Sequence, residues 1–183
     1  MTSTGVAAPH LSLRALFSFP NPVNEYAART VAGGVVILAL VTIGSGVHWL
    51  TVPLAYGFVA RVLTGPKLSP LGLLATRVIV PRYNVEPKLV AGPPKRFAQA
   101  IGVLFSVTAA VLAVGFDQWL AAQVVLGLLV VAAFLESALG ICLGCIAFGY
   151  LMRHGIVPEE VCERCTNIWL GREDEAAPDR VAR

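Results

Sequence analysis

The chain has 183 residues, of which 56% are hydrophobic and only 14% are charged, and its mean hydropathy is +0.73. A soluble domain of this length cannot hide so much apolar surface from water, so these values exclude an ordinary soluble fold. The formal net charge of +3 comes without a basic patch interleaved with aromatic residues, which gives nucleic-acid binding no support. We therefore expect an all-α protein whose main partner is the lipid bilayer.

The chain starts with a polar segment, residues 1–26, which we expect to lie in the cytoplasm. Within it, Asn21 and Pro22 predict a helix N-cap followed by proline at the first helical position, where a missing N–H costs nothing. An apolar run then predicts a first transmembrane helix over residues 27–47. A run of this length crosses a hydrocarbon core of ~30 Å.

A second, shorter apolar stretch predicts another crossing over residues 50–65, with a tilted or re-entrant segment as the alternative. Arg61 lies near the end of this stretch, from where its side chain can reach the interface. The long connection that follows, residues 66–96, contains an apolar part at residues 68–80 that is too short to span. We expect this part to lie in the membrane interface or to pack against the helices.

The third span is predicted over residues 97–116 and the fourth over residues 119–139, with a possible extension to residue 152. The full apolar stretch is much longer than the ~20 residues that a bilayer core needs, so the helix should project from the membrane or break near Gly140. Residues 153–183 form a polar tail. Residues 27–152 would thus form one membrane domain of four helices.

The basic residues predict the orientation of these helices. The turns beside Trp49 and Trp119 carry no lysine or arginine. The basic residues fall at or before the start of the first span, at the end of the second span or in the long connection, and in the tail. Basic residues favour the cytoplasmic side and tryptophan favours the membrane boundary. Both signals predict that the amino and carboxyl termini are cytoplasmic.

The candidate reactive residues of the sequence are two pairs of cysteines: Cys142 with Cys145, and Cys162 with Cys165. The predicted topology places both pairs on the cytoplasmic side, where thiols are kept reduced and a permanent disulfide is not expected. If a helix restarts at about Gly140, its N-terminus should lower the pKa of a thiol. Cys142 and Cys145 would then form a reactive pair that exchanges electrons or sulfane sulfur, with Cys162 and Cys165 as accessory thiols.

Two other interpretations of the cysteines stay open. All four, at Cys142, Cys145, Cys162 and Cys165, have the formal spacing of a structural zinc site, for which His154 could replace one ligand. Alternatively, Cys142 and Cys145 only pack, since Gly140 and Gly144 have the small-residue spacing that brings membrane helices together. Except for zinc in the first case, no cofactor is expected.

Glu136 is the only acidic residue inside a predicted span, and ionisable groups in membrane helices are often functional. It could accept a proton from a thiol or pair with Arg61, and we include it with Cys142 and Cys145 as a candidate catalytic residue. The alternative is that the carboxylate lies at interface depth and simply reaches water. A small carrier for sulfur compounds, built as a homo-oligomer, is a further possibility.

Three stretches together carry a family resemblance: Phe19-Pro20-Asn21-Pro22-Val23-Asn24-Glu25, Gly92-Pro93-Pro94-Lys95-Arg96-Phe97-Ala98-Gln99 and Cys142-Leu143-Gly144-Cys145. Over residues 18–152 the chain resembles the small bacterial membrane proteins catalogued as domain of unknown function 4395. The resemblance implies a location in the bacterial inner membrane. It also favours a cytosolic partner of the thioredoxin-like or rhodanese-type sulfurtransferase class, and with it the thiol interpretation.

Overall fold

The structure, a computed structural model, describes residues 21–82 and 88–157 and is largely helical in these ranges. The helices are α1 (Glu25–Ser45), α2 (Thr51–Thr64), α3 (Pro70–Leu74), α4 (Gly92–Ala110), α5 (Trp119–Phe134) and α6 (Leu143–Arg153). Wider π turns continue α3 through Ala75–Ile79, α4 through Val111–Gly115 and α5 through Leu135–Leu139, and the helical stretch after α3 ends with Val80–Arg82. Short 3-10 turns, His48–Leu50 and Gly65–Lys67, flank α2. Two short strands, β1 (Val23–Asn24) and β2 (Leu89–Val90), pair antiparallel.

Among the described residues, three helices are long and apolar enough to cross a membrane, namely Glu25–Ser45, Gly92–Gly115 and Trp119–Leu139. They correspond to the first, third and fourth predicted spans. Helix α2 coincides with the second predicted span but has only 14 residues. At ~1.5 Å per residue it rises about 21 Å, less than the ~30 Å of a bilayer core.

Helix α4 lies at the centre of the packing, because it contacts α2, α5 and α6, while α1 packs against α5. Small and branched apolar side chains such as Val35, Leu54 and Leu126 fill the core. Large apolar side chains also cover the outside, including Leu104 at 66% exposure and Leu120 at 76%. An apolar exterior on an apolar core is the arrangement expected of helices surrounded by lipid.

The two short turns meet at one end of the helices. The ring of His48 stacks on that of Trp119 with centroids 4.4 Å apart, and His48 Nδ1 lies 3.6 Å from a carboxylate oxygen of Asp117. The start of α1, the end of α2, the start of α4 and the end of α5 lie at the opposite end. The described helices therefore alternate in direction.

The predicted N-cap at Asn21 is wrong. Residues 23–24 are held extended by pairing with β2, so α1 begins only at Glu25, and the Asn24 side chain caps it by accepting from the N–H of Tyr26 at 2.9 Å. The Asn21–Pro22 peptide bond is cis. The side-chain oxygen of Asn21 instead accepts a hydrogen bond from the N–H of Gly92 at 3.0 Å, which ties the chain start to α4.

The apolar part of the long connection is helical and packs on the other helices. Helix α3 and its π turn contact α1, where the side chain of Leu71 lies against Gly34. The side chain of Ser69 caps α3 by accepting from the N–H of Gly72.

Candidate thiol site

A sharp break separates α5 from α6. Gly140 has a left-handed backbone with φ of 71°, which glycine adopts at low cost and which ends the preceding helix. The guanidinium of Arg29 donates to the carbonyl of Ser137 at 3.1 and 3.2 Å and to that of Ala138 at 2.8 Å, satisfying carbonyls that the helix end leaves free. The break predicted near Gly140 is confirmed.

The break places Cys142 at the N-cap of α6, where its sulfur receives two hydrogen bonds. The backbone N–H of Cys145 donates to Cys142 Sγ at 3.4 Å, and the Cys145 thiol donates to the same sulfur at 2.7 Å. Both thiols are free, with Cys142 buried and Cys145 partly exposed. A helix N-terminus stabilises negative charge, so this geometry favours a thiolate at Cys142.

The two thiols are electrostatically unequal. The pKa of Cys142 is lowered, chiefly by the hydrogen bond from the Cys145 thiol and also by Lys95 and the Cys145 N–H. Burial and the Glu136 carboxylate act in the opposite direction but do not outweigh these effects. Donating that hydrogen bond and being buried raise the pKa of Cys145. Of the two thiols, Cys142 is therefore the one that loses its proton more readily, and Cys145 is the one that holds its proton more firmly.

Glu136 lies next to this pair and is bound to a lysine. Its Oε1 is 2.8 Å from Lys95 Nζ, and both side chains are mostly buried, with exposures of 22% and 9%. Arg61, the partner considered for Glu136 from the sequence, interacts with it electrostatically but forms no ion pair with it in the described structure. The π turn at the end of α5 and the break at Gly140 bring Glu136 and Cys142 to the wall of one cavity, although six residues separate them.

The three stretches that carry the family resemblance meet at this site. Strand β1 from the first stretch pairs with β2, which leads into the second stretch, and Lys88 Nζ lies 2.7 Å from the Glu25 carboxylate. Glu25, Lys95 and both thiols then line one open groove of about 520 Å³. The groove, defined by these residues, opens beside the thiol pair, of which Cys145 is partly exposed and Cys142 is buried.

A second, more enclosed cavity of about 630 Å³ lies between α1, α2, α4 and α5. Its wall is mostly apolar, with Arg61, Lys95, Glu136 and Cys142 among its polar members. Cys142 lines both this inner cavity and the groove, whereas Cys145 lines only the groove. Cys142 thus lies in the wall between the two spaces.

The packing interpretation holds in part. A Cβ at Gly144 would lie 2.5 Å from the Cα of Ala98, so glycine is required for the close approach of α6 to α4. Gly140 does not take part in that contact between helices, since it forms the turn. Packing explains Gly144 but not the hydrogen bonds to Cys142.

The zinc interpretation needs the second pair of cysteines as well as the first. Cys162 and Cys165 lie outside the described residues. Within residues 21–82 and 88–157, no group of three or more histidine, cysteine or acidic side chains is placed to hold a metal. The ring of His154 packs edge-on against Tyr150 with centroids 4.3 Å apart.

Sequence reasoning missed the role of Lys95 and did not consider Gln99. Lys95 is named in the sequence analysis only within the second stretch of the family resemblance, yet its ammonium lies 2.8 Å from Glu136 and acts electrostatically on the thiols. The signal was present, because Lys95 stands directly before the apolar run of the third predicted span, in the first turn of α4. The side-chain oxygen of Gln99 is buried without a hydrogen-bond partner, among the described residues, and the residue lines the inner cavity.

Comparison with known proteins places the chain in a family. The model of the family described as "Domain of unknown function (DUF4395)" matches residues 23–153. No curated protein and no solved structure matches the chain. The match covers most of the chain and includes the ion pairs, the helix break and the first cysteine pair, and it confirms the resemblance drawn from the three stretches. The chain belongs to the DUF4395 family.

Proposed function

We propose that this protein is a membrane-embedded thiol–disulfide exchange protein whose Cys142–Cys145 pair passes electrons to or from a cytosolic thioredoxin-like partner. The observation that carries the proposal is the double hydrogen bond from Cys145 to the sulfur of Cys142 at a helix N-terminus. Thiol–disulfide exchange uses one cysteine that is stabilised as a thiolate and a second cysteine that carries a proton. Packing alone requires neither of these properties.

The exchange follows from the different environments of the two sulfurs. In the oxidised pair, a partner thiolate attacks the sulfur of Cys145, the less buried of the two, and the Cys142–Cys145 bond breaks. Cys142 leaves as a thiolate, the role that its low pKa favours, since a more acidic thiol leaves faster. The second thiol of the partner loses its proton and attacks the mixed disulfide. Cys145 is released and protonated, the partner becomes a disulfide, and two electrons have moved to the pair.

For the topology we propose four crossings, with both termini in the cytoplasm of a bacterial inner membrane. The alternating direction of the described helices supports an even number of crossings, and the 3-10 turns on both sides of α2 lengthen that helical segment. Arg29, Lys88, Lys95 and Arg153 lie at the end of the structure that holds the cysteines, whereas His48 and Asp117 mark the other end. By the positive-inside rule, this distribution of basic residues supports a cytoplasmic position for the thiols.

A second candidate is transfer of sulfane sulfur to or from a rhodanese-type partner. The same thiolate supports it, because a persulfide forms when Cys142 attacks a partner's persulfide and releases the partner's thiolate. A structural zinc site would need Cys162 and Cys165, and a carrier of small sulfur compounds would use the inner cavity. The open groove favours a soluble partner that reaches the thiol pair over both of these.

The test is a trapping experiment in detergent-purified protein that also carries Cys162→Ser and Cys165→Ser. A thioredoxin whose second active-site cysteine is replaced by serine is mixed with the oxidised protein. We expect a mixed disulfide at Cys145, identified by mass spectrometry of the linked peptides. Cys145→Ser should not form it. If thioredoxin neither links to the pair nor reduces it while a small dithiol reduces it, exchange with a thioredoxin-like partner is excluded.

A further inference from the structure

The inner cavity holds an excess of positive charge in an apolar setting. Its ionisable lining groups are Arg61, Lys95, Glu136 and Cys142, so with a neutral thiol the two cations and one carboxylate leave a net charge of +1. A net charge buried among apolar side chains is costly unless something compensates it. A thiolate at Cys142, or a ligand that becomes negatively charged at this position, supplies the missing charge.

Arg61 and Gln99 offer hydrogen bonds that the described protein leaves unused. Arg61 is 96% buried; its Nε donates to the carbonyl of Gly57 at 3.1 Å and its guanidinium lies 4.3 Å above the ring of Phe58. Its two terminal NH₂ groups have no acceptor among the described residues, although the residue lines the cavity. Gln99 also lines the cavity, and its buried side-chain oxygen lacks a donor. The site is thus built to donate hydrogen bonds to oxygen atoms and to accept one from a hydroxyl group.

The remaining wall suits a ligand that is mostly apolar. Side chains such as Val31, Val35, Phe105 and Leu129 line the cavity, and its 630 Å³ lies in the range of sites for molecules much larger than a small inorganic ion. Thiosulfate or sulfide would leave most of this space unfilled and would meet apolar surface on most sides. The cavity also lies between helices that are long and apolar enough to cross a bilayer, a setting that suits a lipid-soluble ligand.

From these features we propose that the inner cavity binds a lipid-soluble quinone, which accepts electrons from the Cys142–Cys145 pair. The proposal rests on the proposed thiol exchange and names the second substrate of the same site. A quinone ring presents two carbonyl oxygens to hydrogen-bond donors and carries an apolar tail. Its two-electron reduction creates oxyanions, which the guanidinium of Arg61 and the ammonium of Lys95 stabilise.

The position of Cys142 between the two spaces gives the reaction a defined order. The Cys142 thiolate adds to the quinone ring on the cavity side, forming a carbon–sulfur bond and an oxyanion that takes up a proton. Cys145 loses its proton and attacks the sulfur of Cys142, forming the disulfide and breaking the carbon–sulfur bond. The electron pair of that bond stays with the ring, which takes the second proton and leaves as quinol. Two thiols have lost two electrons and two protons, and the quinone has gained both.

The test uses the full chain in nanodiscs of neutral lipid, with the tail cysteines Cys162 and Cys165 changed to serine. The reduced protein is freed of reductant and mixed with a fully substituted benzoquinone bearing a short alkyl tail, which has no free ring position for irreversible alkylation. Quinone absorbance and alkylation mass spectrometry are followed together. We expect one quinol for each new Cys142–Cys145 disulfide, and no quinol from Cys142→Ser.

Two variants test the cavity itself, each with a matched control. Arg61→Gln removes the charged donor and should slow quinol formation roughly ten- to a hundredfold, as loss of a hydrogen bond from a charged group predicts, whereas Arg77→Gln, at an exposed position outside the cavity, should not. Ala132→Trp fills the cavity and should block the reaction, and Ala121→Trp, on the exposed side of the same helix, should leave it intact.

The outcomes separate the two proposals. If thioredoxin exchanges with the pair but quinone leaves it reduced, the quinone site is wrong and the exchange function stands. Equal quinone rates in Ala132→Trp, Arg61→Gln and the controls mean that quinone reacts from solution, and they also overturn the site. Should quinone oxidise the pair through the cavity while thioredoxin fails to react, the partner assignment fails and the cavity proposal survives.

Discussion

Lys95 on α4 and Glu136 at the end of α5 form a largely buried ion pair, with Nζ and Oε1 2.8 Å apart, beside the thiols that follow the helix break. The pair joins two long helices at the end of the structure where Cys142 lies. Both groups also act electrostatically on that thiol, in opposite directions. One ion pair therefore links the packing of the helices to the reactivity of the site.

Replacing one member of this pair should destabilise the protein more than replacing both. Lys95→Gln leaves a mostly buried carboxylate without its cation, which costs on the order of 3 kcal/mol of unfolding free energy. Adding Glu136→Gln removes the carboxylate that has lost its hydrogen-bonded ammonium partner, and the two amides at these positions can form a hydrogen bond with each other. Unfolding in detergent, followed by circular dichroism, measures both variants. A double variant as unstable as Lys95→Gln would show that the ion pair does not stabilise the helices.

The acidity of Cys142 should depend on the thiol of Cys145. Cys145→Ala removes the hydrogen-bond donor that contributes most to lowering the pKa of Cys142, so that pKa should rise towards the ~8.5 of a free cysteine. Cys145→Ser retains a donor and should raise it less. The pH dependence of iodoacetamide alkylation reports the pKa, because only the thiolate reacts. Identical profiles for the alanine and serine variants would contradict the hydrogen-bond assignment.

The charges of the ion pair should shift the same profile in opposite directions. Lys95→Gln removes a cation that favours the Cys142 thiolate, so alkylation should require a higher pH. Glu136→Gln removes a carboxylate that opposes it, so alkylation should begin at a lower pH. Alkylation rates across pH check both variants in a background without Cys145, Cys162 and Cys165. Shifts in the same direction for both would mean that the site has been distorted and that charge is not the cause.

Helix α6 should tolerate a methyl group at one glycine and not at another. Gly144→Ala places a Cβ against the backbone of Ala98 and should cost about 1–3 kcal/mol while displacing the thiol pair. Gly149 has no atom within 4 Å of such a Cβ, so Gly149→Ala should be neutral or stabilising by up to ~1 kcal/mol. Thermal unfolding and the rate of thiol exchange, measured on both variants, test the contact. Equal effects would exclude it.

The orientation in the membrane can be tested with single cysteines in a chain whose own cysteines are serine. Ser45→Cys lies at the end with the two short turns, and Arg77→Cys lies in the long connection; both positions are exposed. A membrane-impermeant maleimide added to intact spheroplasts should label Ser45→Cys only, and Arg77→Cys should react after permeabilisation. The reverse pattern would place the thiols on the outer side and remove the proposed cytosolic partner.

The helices could be predicted from the sequence, because an apolar run of about 20 residues between polar segments must satisfy its backbone hydrogen bonds internally in lipid, and a helix does so. The first, third and fourth spans differ from the observed helices by at most five residues at either end. The break at Gly140 was predictable for the same reason, since the apolar run was too long for one crossing. These features depend on local sequence alone.

The site required contacts that local sequence does not encode. Asn21 was predicted to cap a helix because the pairing of β1 with β2, across residues far apart in the chain, was not visible. Lys95 and Glu136 are 41 residues apart, and only the packing of α4 on the end of α5 brings them together. The cysteine spacing suggested a reactive pair, but the groove and inner cavity on either side of Cys142 arise from the folded chain.

The most direct test of the account is the redox state of the first cysteine pair in the Cys162→Ser and Cys165→Ser background. Membranes are treated with a mild oxidant or a dithiol, trapped with an alkylating agent and analysed by mass spectrometry. We expect Cys142 and Cys145 to be both alkylated after reduction, to be joined to each other after oxidation, and to become available to the alkylating agent again when the dithiol is added. If both thiols are fully alkylated under every condition and carry no added sulfur, the pair has no exchange chemistry and the proposed function is wrong.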